Sequence, residues 1–354
     1  MATLKENLVQ ISQREDSGAR TNARYHYQAL CGLILVLEEH KKSSEFALVF
    51  EFHDDIALLN SPQAPTKVRF YQVKSKQTGS WTSATLTNQP TKKGTKAHSH
   101  LGKIYENVLN FGDQVESATF LSNASINFAP ADKTKFCLDE CDSKTLQAIS
   151  ANLSAEFLAE DTIKTELIWL EQTDLSLSDT DNHAKGKLET FIVESLGQTV
   201  EFSLDALFKA VSEECDRKSR EKKVDLSNFS DVVEKRGITK ADAQAWIDSV
   251  SLTVNCPSWE AIAPDIQMGA LPKKRLMREY KAYRIEVLNP NEAVRKARRI
   301  IARCLSENDW DELSLNELVQ NAYALVHAEI KSELLTATEE RIKAMIIYET
   351  YSIN

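Results

Sequence analysis

The sequence predicts an α/β N-terminal domain followed by a mostly α-helical C-terminal domain. Three observations predict it. Runs rich in Val, Ile, Phe and Leu, of strand length, fill the first half; helical patterning broken by prolines runs on from Gly197; and 354 residues exceed one ordinary core. At roughly 150 residues per domain, two units are expected, over residues 1–220 and 225–354. A hydrophobic fraction of 42% and a charged fraction of 27% let both bury cores, which excludes a disordered chain.

The first element, Arg20–Glu39 (RTNARYHYQALCGLILVLEE), stacks Tyr27, Leu30, Ile34 and Leu37 on one side and reads as a buried helix. Asp16, Ser17 and Thr21 are its candidate caps, with Gly18 in the approach. Glu45–Leu59 (EFALVFEFHDDIALL) and Lys67–Lys76 (KVRFYQVKSK) read as strands, joined by a loop holding Pro62 and Pro65. The polar stretch Gln77–His98 is long for an inert connection. HLGKIYENVLNF after Ser99 reads as a helix, Glu116–Phe128 as a strand, Ser143–Glu160 as a helix and Glu166–Leu177 as a strand. Helices then continue with breaks near Ser227, Gly237, Pro257, Pro264, Pro272 and Pro290, without a solenoid or heptad repeat.

Six scattered cysteines form no CxxC pair, so neither a disulfide framework nor a zinc knuckle is indicated. Cys137 and Cys141 are spaced like neighbours on a helix turn and read as plain thiols. The N-terminus lacks a signal-like apolar core and Cys31–Leu37 is too short to span a bilayer, which points to the reducing cytoplasm and no membrane. The net charge of −9 argues against a general nucleic-acid coat, yet it is unevenly spread. Residues 1–110 carry 14 Lys and Arg against 10 Asp and Glu, and Pro272–Arg303 carries 11 basic against 3 acidic residues. Such runs suit either a polyanion or a solvated helix face.

Side chains on a strand alternate between faces. Taken as one regular strand, Glu45–Leu59 puts Phe46, Leu48, Phe50 and Phe52 on the core face and Glu51 with Asp55 on the other. Gln72, Lys74 and Lys76 share a face of the next strand, so if the two strands are neighbours an acid, an amide and a lysine meet at one sheet edge. Phosphodiester hydrolysis needs a divalent ion to offset phosphate charge and activate water, and a group that orients that water. Asp55 and the side-chain oxygen of Gln72, with the carbonyl of Val73, are candidate ligands for Mg²⁺ (or Mn²⁺), and Lys74 for the water or phosphate. Because Gln72 is neutral, a second acid is expected from Glu51 or Asp54; regular alternation sends Asp54 to the core and favours Glu51. An acid 17 residues before QxK also occurs where Asp55 and Lys74 make only a cross-strand ion pair.

The blocks SGARTNARYHYQ, FEFHDDI, FYQVKSK, SW, HLGKIYENVLNF and ATFLSN, in that order from residue 16 to about 200, resemble the Cap4-type endonucleases of the PD-(D/E)xK superfamily. These are DNA-cutting effectors of cyclic-nucleotide-activated bacterial anti-phage systems, and the nuclease subunit of Lamassu defence systems is of the same type. The resemblance implies a restriction-endonuclease-like fold, double-stranded DNA as substrate and Mg²⁺ as cofactor. It places Asp55, Gln72 and Lys74 at the family's acid and QxK positions, and Gln28 of YHYQ at the polar position of the first helix. Both Gln28 and Gln72 stand where Glu is the alternative.

Lys76, Lys92, Lys93 and Lys96 are candidate contacts to a DNA backbone. His53 beside Asp54 superficially suggests an HD-type phosphohydrolase, but partner histidines at helical spacing are lacking. His98 and His100 read as a polar approach to the helix at Leu101, and Trp81 as packing. About 130 residues follow Asp225 and read as helical, which does not suit the α/β sensor of the cyclic-nucleotide-activated enzymes. The Lamassu arrangement suits better and implies an SMC-like ATPase and a small accessory subunit as partners, with the tail serving docking or a homo-oligomer. The apolar stripes of Ser306–Tyr351 equally suit closure of this chain's own core. Two functions are expected: a double-stranded DNA endonuclease held in a defence complex until released or oligomerised, or a catalytically inactive relative that binds DNA or aids assembly. An RNA substrate is not distinguished by these residues.

Overall fold

The computed structural model describes residues 3–10, 22–92, 94–158, 162–197, 202–288, 290–310 and 312–352. The expected caps Asp16, Ser17 and Thr21, together with Gly18 and Lys93, lie outside them. The chain divides into two compact units, Met1–Leu188 with Ser212–Ala243, and Glu189–Val211 with Gln244–Asn354.

The first unit is built on strands β1 (Ala47–Phe52), β2 (Asp54–Leu59), β3 (Val68–Lys74), β4 (Thr91–Lys92), β5 (Thr95–Lys96), β6 (Val115–Ser122), β7 (Lys135–Cys137), β8 (Ile168–Gln172) and β9 (Gly237–Thr239). Seven of them form one mixed sheet in the order β7-β8-β6-β3-β2-β1-β9. β3, β6 and β8 run parallel, and β2, β1 and β9 continue the sheet antiparallel. The helices in this part of the chain are α1 (Leu4–Gln10), α2 (Asn22–Lys42), α3 (Ser83–Thr87), α4 (His100–Phe111), α5 (Ser143–Phe157), α6 (Thr180–Leu196), α7 (Leu204–Arg220) and α8 (Phe229–Arg236).

α2 lies close against β1 because Gly32 lacks a side chain; a Cβ there would run into the ring of Phe50. Tyr27, Leu30, Ile34 and Leu37 are all buried, as their helical spacing predicts. α4 turns Leu101, Ile104, Tyr105, Val108 and Phe111 into a core shared with Val68 and Phe70 of β3 and Ala118 and Phe120 of β6. Its start is capped by Ser99, which accepts from the Gly102 amide at 2.8 Å.

Glu45–Leu59 is two strands, not one. Phe52 pairs directly with Asp54, so the chain reverses at His53. Glu51 (φ 50°) and His53 (φ 63°) both take left-handed backbone without being glycine. The turn is hidden in the sequence because both arms are buried on both faces and read as one apolar run. The alternation also shifts at Glu51. Phe50 abuts Gly32, whereas Phe52 joins Ala47 and Val49 in the core with α4.

Gln77–His98 holds α3 and the β4-β5 hairpin, which turns at Gly94 (φ 82°). β7 and β9, three residues each, are too short to print a periodicity. Cys137 ends β7 and Cys141 follows a single 3-10 turn, so the pair does not share an α-helical turn. All six cysteines are free.

Beyond α9 (Lys240–Asn255), the second unit continues with α10 (Trp259–Ile262), α11 (Ala270–Glu286), α12 (Glu292–Glu307), α13 (Leu315–Glu333) and α14 (Glu339–Ser352). Every residue from Ile342 to Glu349 is buried, so α14 is the central helix, as its apolar AMIIY run requires. Tyr280 and Tyr283 of α11, Ile301 of α12 and Ile330 of α13 close over it. The basic stretch is largely paired within the unit. Arg275 meets Glu340, Lys281 meets Glu260, Lys296 meets Glu333, Arg298 meets Glu349 and Arg303 meets Glu329. No helix among the described residues is long and apolar enough to cross a membrane.

Candidate active site

The β2-β3 register pairs Ile56 with Tyr71, and one step further along it Asp55 stands beside Gln72. Asp55 is buried, and its Oδ2 accepts from the Val73 amide at 2.8 Å and from Lys74 Nζ at 3.0 Å. Lys74 Nζ also donates to the Val73 carbonyl at 3.1 Å. The ammonium therefore sits between a carboxylate oxygen and a carbonyl oxygen, the pair of donors that a hard cation also takes. Gln72 is buried, and its Oε1 has no hydrogen-bond partner among the described residues. A buried polar oxygen left unpaired costs about 1–3 kcal/mol, so its retention calls for a ligand or a water.

Asp54 explains which way Gln72 faces. Its Oδ1 accepts from the Asp55 amide at 3.0 Å and lies 3.4 Å from Gln72 Nε2, and its Oδ2 accepts from Asn107 Nδ2 of α4 at 2.9 Å. Both Asp54 oxygens act as acceptors here, and the Gln72 amide turns its NH₂ toward Oδ1 and its oxygen away. The parity that favoured Glu51 as the second acid assumed a regular strand, and it fails because the chain reverses at His53. Asp54 is the acid in contact with Gln72. Glu51 is half-buried, and its carbonyl accepts from Arg236 Nη1 at 2.6 Å. Burial lowers the pKa of Arg236, and the charges of Glu51 and Glu221 partly restore it. Asn107 was missed in the sequence; its signal is a polar residue within the apolar face of α4.

Among the described residues, no three His, Cys, Asp or Glu side chains converge as a metal cluster. A cation here would rest on the Asp55 carboxylate, the Val73 carbonyl and Gln72 Oε1. This all-oxygen set fits Mg²⁺ or Mn²⁺ in kind and leaves no role for a soft ligand.

A pocket of about 320 Å³ opens beside Lys74, and Arg24, Gln28, Trp81, His100 and Lys103 also line it. Gln28 of α2 thus shares a pocket with Lys74, and its Oε1, like that of Gln72, is buried without a partner among the described residues. Trp81 donates its indole N–H to Ser122 at 2.8 Å and supports Lys76, whose ammonium lies 3.7 Å from the ring centroid. Lys76 also donates to the Ser80 carbonyl at 2.8 Å, which ties it to the protein. Lys96 is exposed on β5; Lys92 belongs to β4, with its side chain outside the description.

The histidines separate cleanly. His53 is buried between the rings of Phe52 and Phe111, at 4.5 and 4.9 Å, which is packing and not an HD centre. His98 contacts Glu156 at 2.8 Å and stacks on Phe157, joining the start of α4 to α5. His100 faces the pocket. Burial and then the charges of Lys74, Lys103 and Lys76 push its pKa down to about 4.

The family model described as "Cap4, dsDNA endonuclease domain" matches residues 16–219, more than half of the chain and including every residue of this cluster. No curated protein and no solved structure matched. The carboxylate, amide and lysine brought together on β2 and β3 lie inside that match, and the chain belongs to the Cap4 double-stranded DNA endonuclease domain family.

Proposed function

We infer that this chain is a Mg²⁺-dependent double-stranded DNA endonuclease of the PD-(D/E)xK type, working from the start of β2 and the end of β3, two interior strands of the sheet. The observation that carries the reading is the Asp55-Gln72-Lys74 cluster: a buried carboxylate 3.0 Å from an ammonium, beside a buried amide oxygen that no group among the described residues satisfies. Mg²⁺ bound there would offset phosphate charge and lower the pKa of a coordinated water. Asp55 and Gln72 Oε1 would hold it with the Val73 carbonyl, and Asp54 would keep Gln72 turned. Lys74, once drawn off Asp55, is placed to orient the attacking water and to face the negative phosphate. Gln28 Oε1 is a second acceptor for water on the α2 side.

The wider role we propose is that of effector subunit in a cytoplasmic bacterial anti-phage or anti-plasmid complex of the Lamassu kind, with an SMC-like ATPase and a small accessory subunit. What supports this is the resemblance of the nuclease blocks, together with a second unit built of helices. Activation by release or homo-oligomerisation belongs to the same proposal. The two glutamines favour a second reading, an inactive nuclease fold that binds DNA.

Incubation of plasmid DNA with purified protein in Mg²⁺ or EDTA tests the main reading. Wild type should nick or linearise the plasmid in Mg²⁺ only, and Lys74→Ala and Asp55→Ala should not. Equal cleavage by both variants refutes the assignment. No cleavage by wild type, alone or with partners, while DNA binding persists, selects the inactive reading.

A further inference from the structure

The pocket beside Lys74 holds more than the cluster uses. Its lining includes the cations Arg24 and Lys103 and a ring, His100, that no step above employs. His100 Nδ1 is a buried polar atom with no hydrogen-bond partner among the described residues. The ring is held edge-on by Trp81 and Phe120, with centroids 5.2 and 5.8 Å away, so its direction is set by packing. His100 and Lys103 both stand in the first turn of α4, where the helix end adds positive potential.

These features select one kind of occupant. The imidazole, which burial and then the neighbouring lysine charges disfavour as a cation, brings one N–H donor, and the same lysine charges attract an anion. Gln28 Oε1 only accepts and suits a water, so contacts to an anion fall to His100, Lys103 and Arg24. A phosphodiester offers unprotonated oxygens and one negative charge, and matches that set.

We propose that this pocket is a subsite for a DNA backbone phosphate next to the scissile one, with the His100 ring as a hydrogen-bond donor and Lys103 and Arg24 as the charges. It rests on the nuclease reading and adds a strand-positioning element on α4. His100 here is a binding residue and takes no part in moving the proton of the attacking water.

The test is fluorescence anisotropy of a labelled DNA duplex in EDTA, at several salt concentrations, with cleavage kinetics in Mg²⁺ alongside. His100→Ala should weaken duplex binding about tenfold with an unchanged salt slope, since a neutral donor displaces no counterion. Lys103→Ala should weaken binding and flatten the log–log salt slope by about one unit. His100→Gln keeps a donor and should bind within about twofold of wild type, which guards against misreading a folding defect. In cleavage, His100→Ala should raise KM and leave kcat nearly unchanged. Wild-type affinity and slope in both alanine variants overturns the subsite, and so does His100→Gln binding as weakly as His100→Ala. A wild type that cuts no DNA in Mg²⁺ overturns the nuclease reading instead, and the EDTA titration still decides the subsite.

Discussion

Each unit of this molecule buries a carboxylate against a cation, and the two differ in how completely the surroundings are satisfied. In the helical unit, Glu349 Oε1 accepts from Tyr283 Oη at 2.7 Å and Arg298 Nε at 2.8 Å, and its Oε2 from Arg298 Nη2 at 3.3 Å. Each carboxylate oxygen there is matched to a fixed donor. In the α/β unit, Asp55 is held by Val73 and Lys74, yet Gln72 Oε1 and, around the pocket beside Lys74, Gln28 Oε1 and His100 Nδ1 have no hydrogen-bond partner among the described residues. A saturated network specifies a fold. An unsaturated one, kept buried at a cost, specifies a ligand.

The contrast predicts opposite phenotypes. Lys74→Ala or Asp55→Ala should lower Mg²⁺-dependent cleavage on the order of 10²–10⁴-fold, measured as initial rates on supercoiled plasmid. Glu349→Ala should instead destabilise by about 3–5 kcal/mol in urea unfolding, since it removes the partner of Arg298 and strands the hydroxyl of the fully buried Tyr283. Asp55→Ala should cost less stability than that. Lys74, with 22% of its side chain exposed, can rehydrate as Arg298 can with 26%, so the difference rests on the Tyr283 hydroxyl, whose side chain is fully buried. Equal stability losses in the two variants would erase the distinction.

A smaller effect is expected at Asp54. Asp54→Asn removes the pure acceptor that turns Gln72, and Mn²⁺ binding followed by electron paramagnetic resonance should weaken about tenfold. Adding Gln72→Glu should restore binding, because a carboxylate has two equivalent oxygens and needs no turning. If the double variant binds no better than Asp54→Asn, orientation is not what Asp54 provides.

The smallest effects are pH-dependent and concern two histidines of the first unit. His26 contacts Asp216 at 2.9 Å and Asp181 at 2.7 Å, and the hydrogen bond to Asp216, ahead of that to Asp181 and against burial, raises its pKa to about 9. The stabilisation is fully present below 6.5, the ordinary histidine value, and is lost as pH climbs through about 9. His100 is shifted the other way, so it removes stability as pH falls from 6.5 toward about 4. Thermal unfolding across that range should flatten on the alkaline side in His26→Gln and on the acidic side in His100→Gln. An unchanged alkaline limb in His26→Gln would remove the charged triad from the account.

Much of the site was legible because its chemistry follows local pattern. Alternation on Lys67–Lys76 put Gln72 and Lys74 on one face, and they reach Asp54 and Asp55 respectively, at the start of β2. Helical spacing likewise marked the buried faces of α2 and the apolar helix α14. The reversal at His53 left only the polar His53-Asp54-Asp55 between two apolar arms, since it uses neither Gly nor Pro. That turn is why alternation chose Glu51 where Asp54 makes the contact.

The sequence alone determined that strands lead and helices follow, and that an amide and a lysine share one face of a strand. These depend on periodicities of two and 3.6, which a chain carries locally. Tertiary structure decided which acid touches Gln72, that Asn107 of a helix 53 residues away holds it, and that His100 faces the lysines. Such contacts join residues distant in the chain, and no local period encodes them; the sheet register and the seat of α4 on β3 and β6 do.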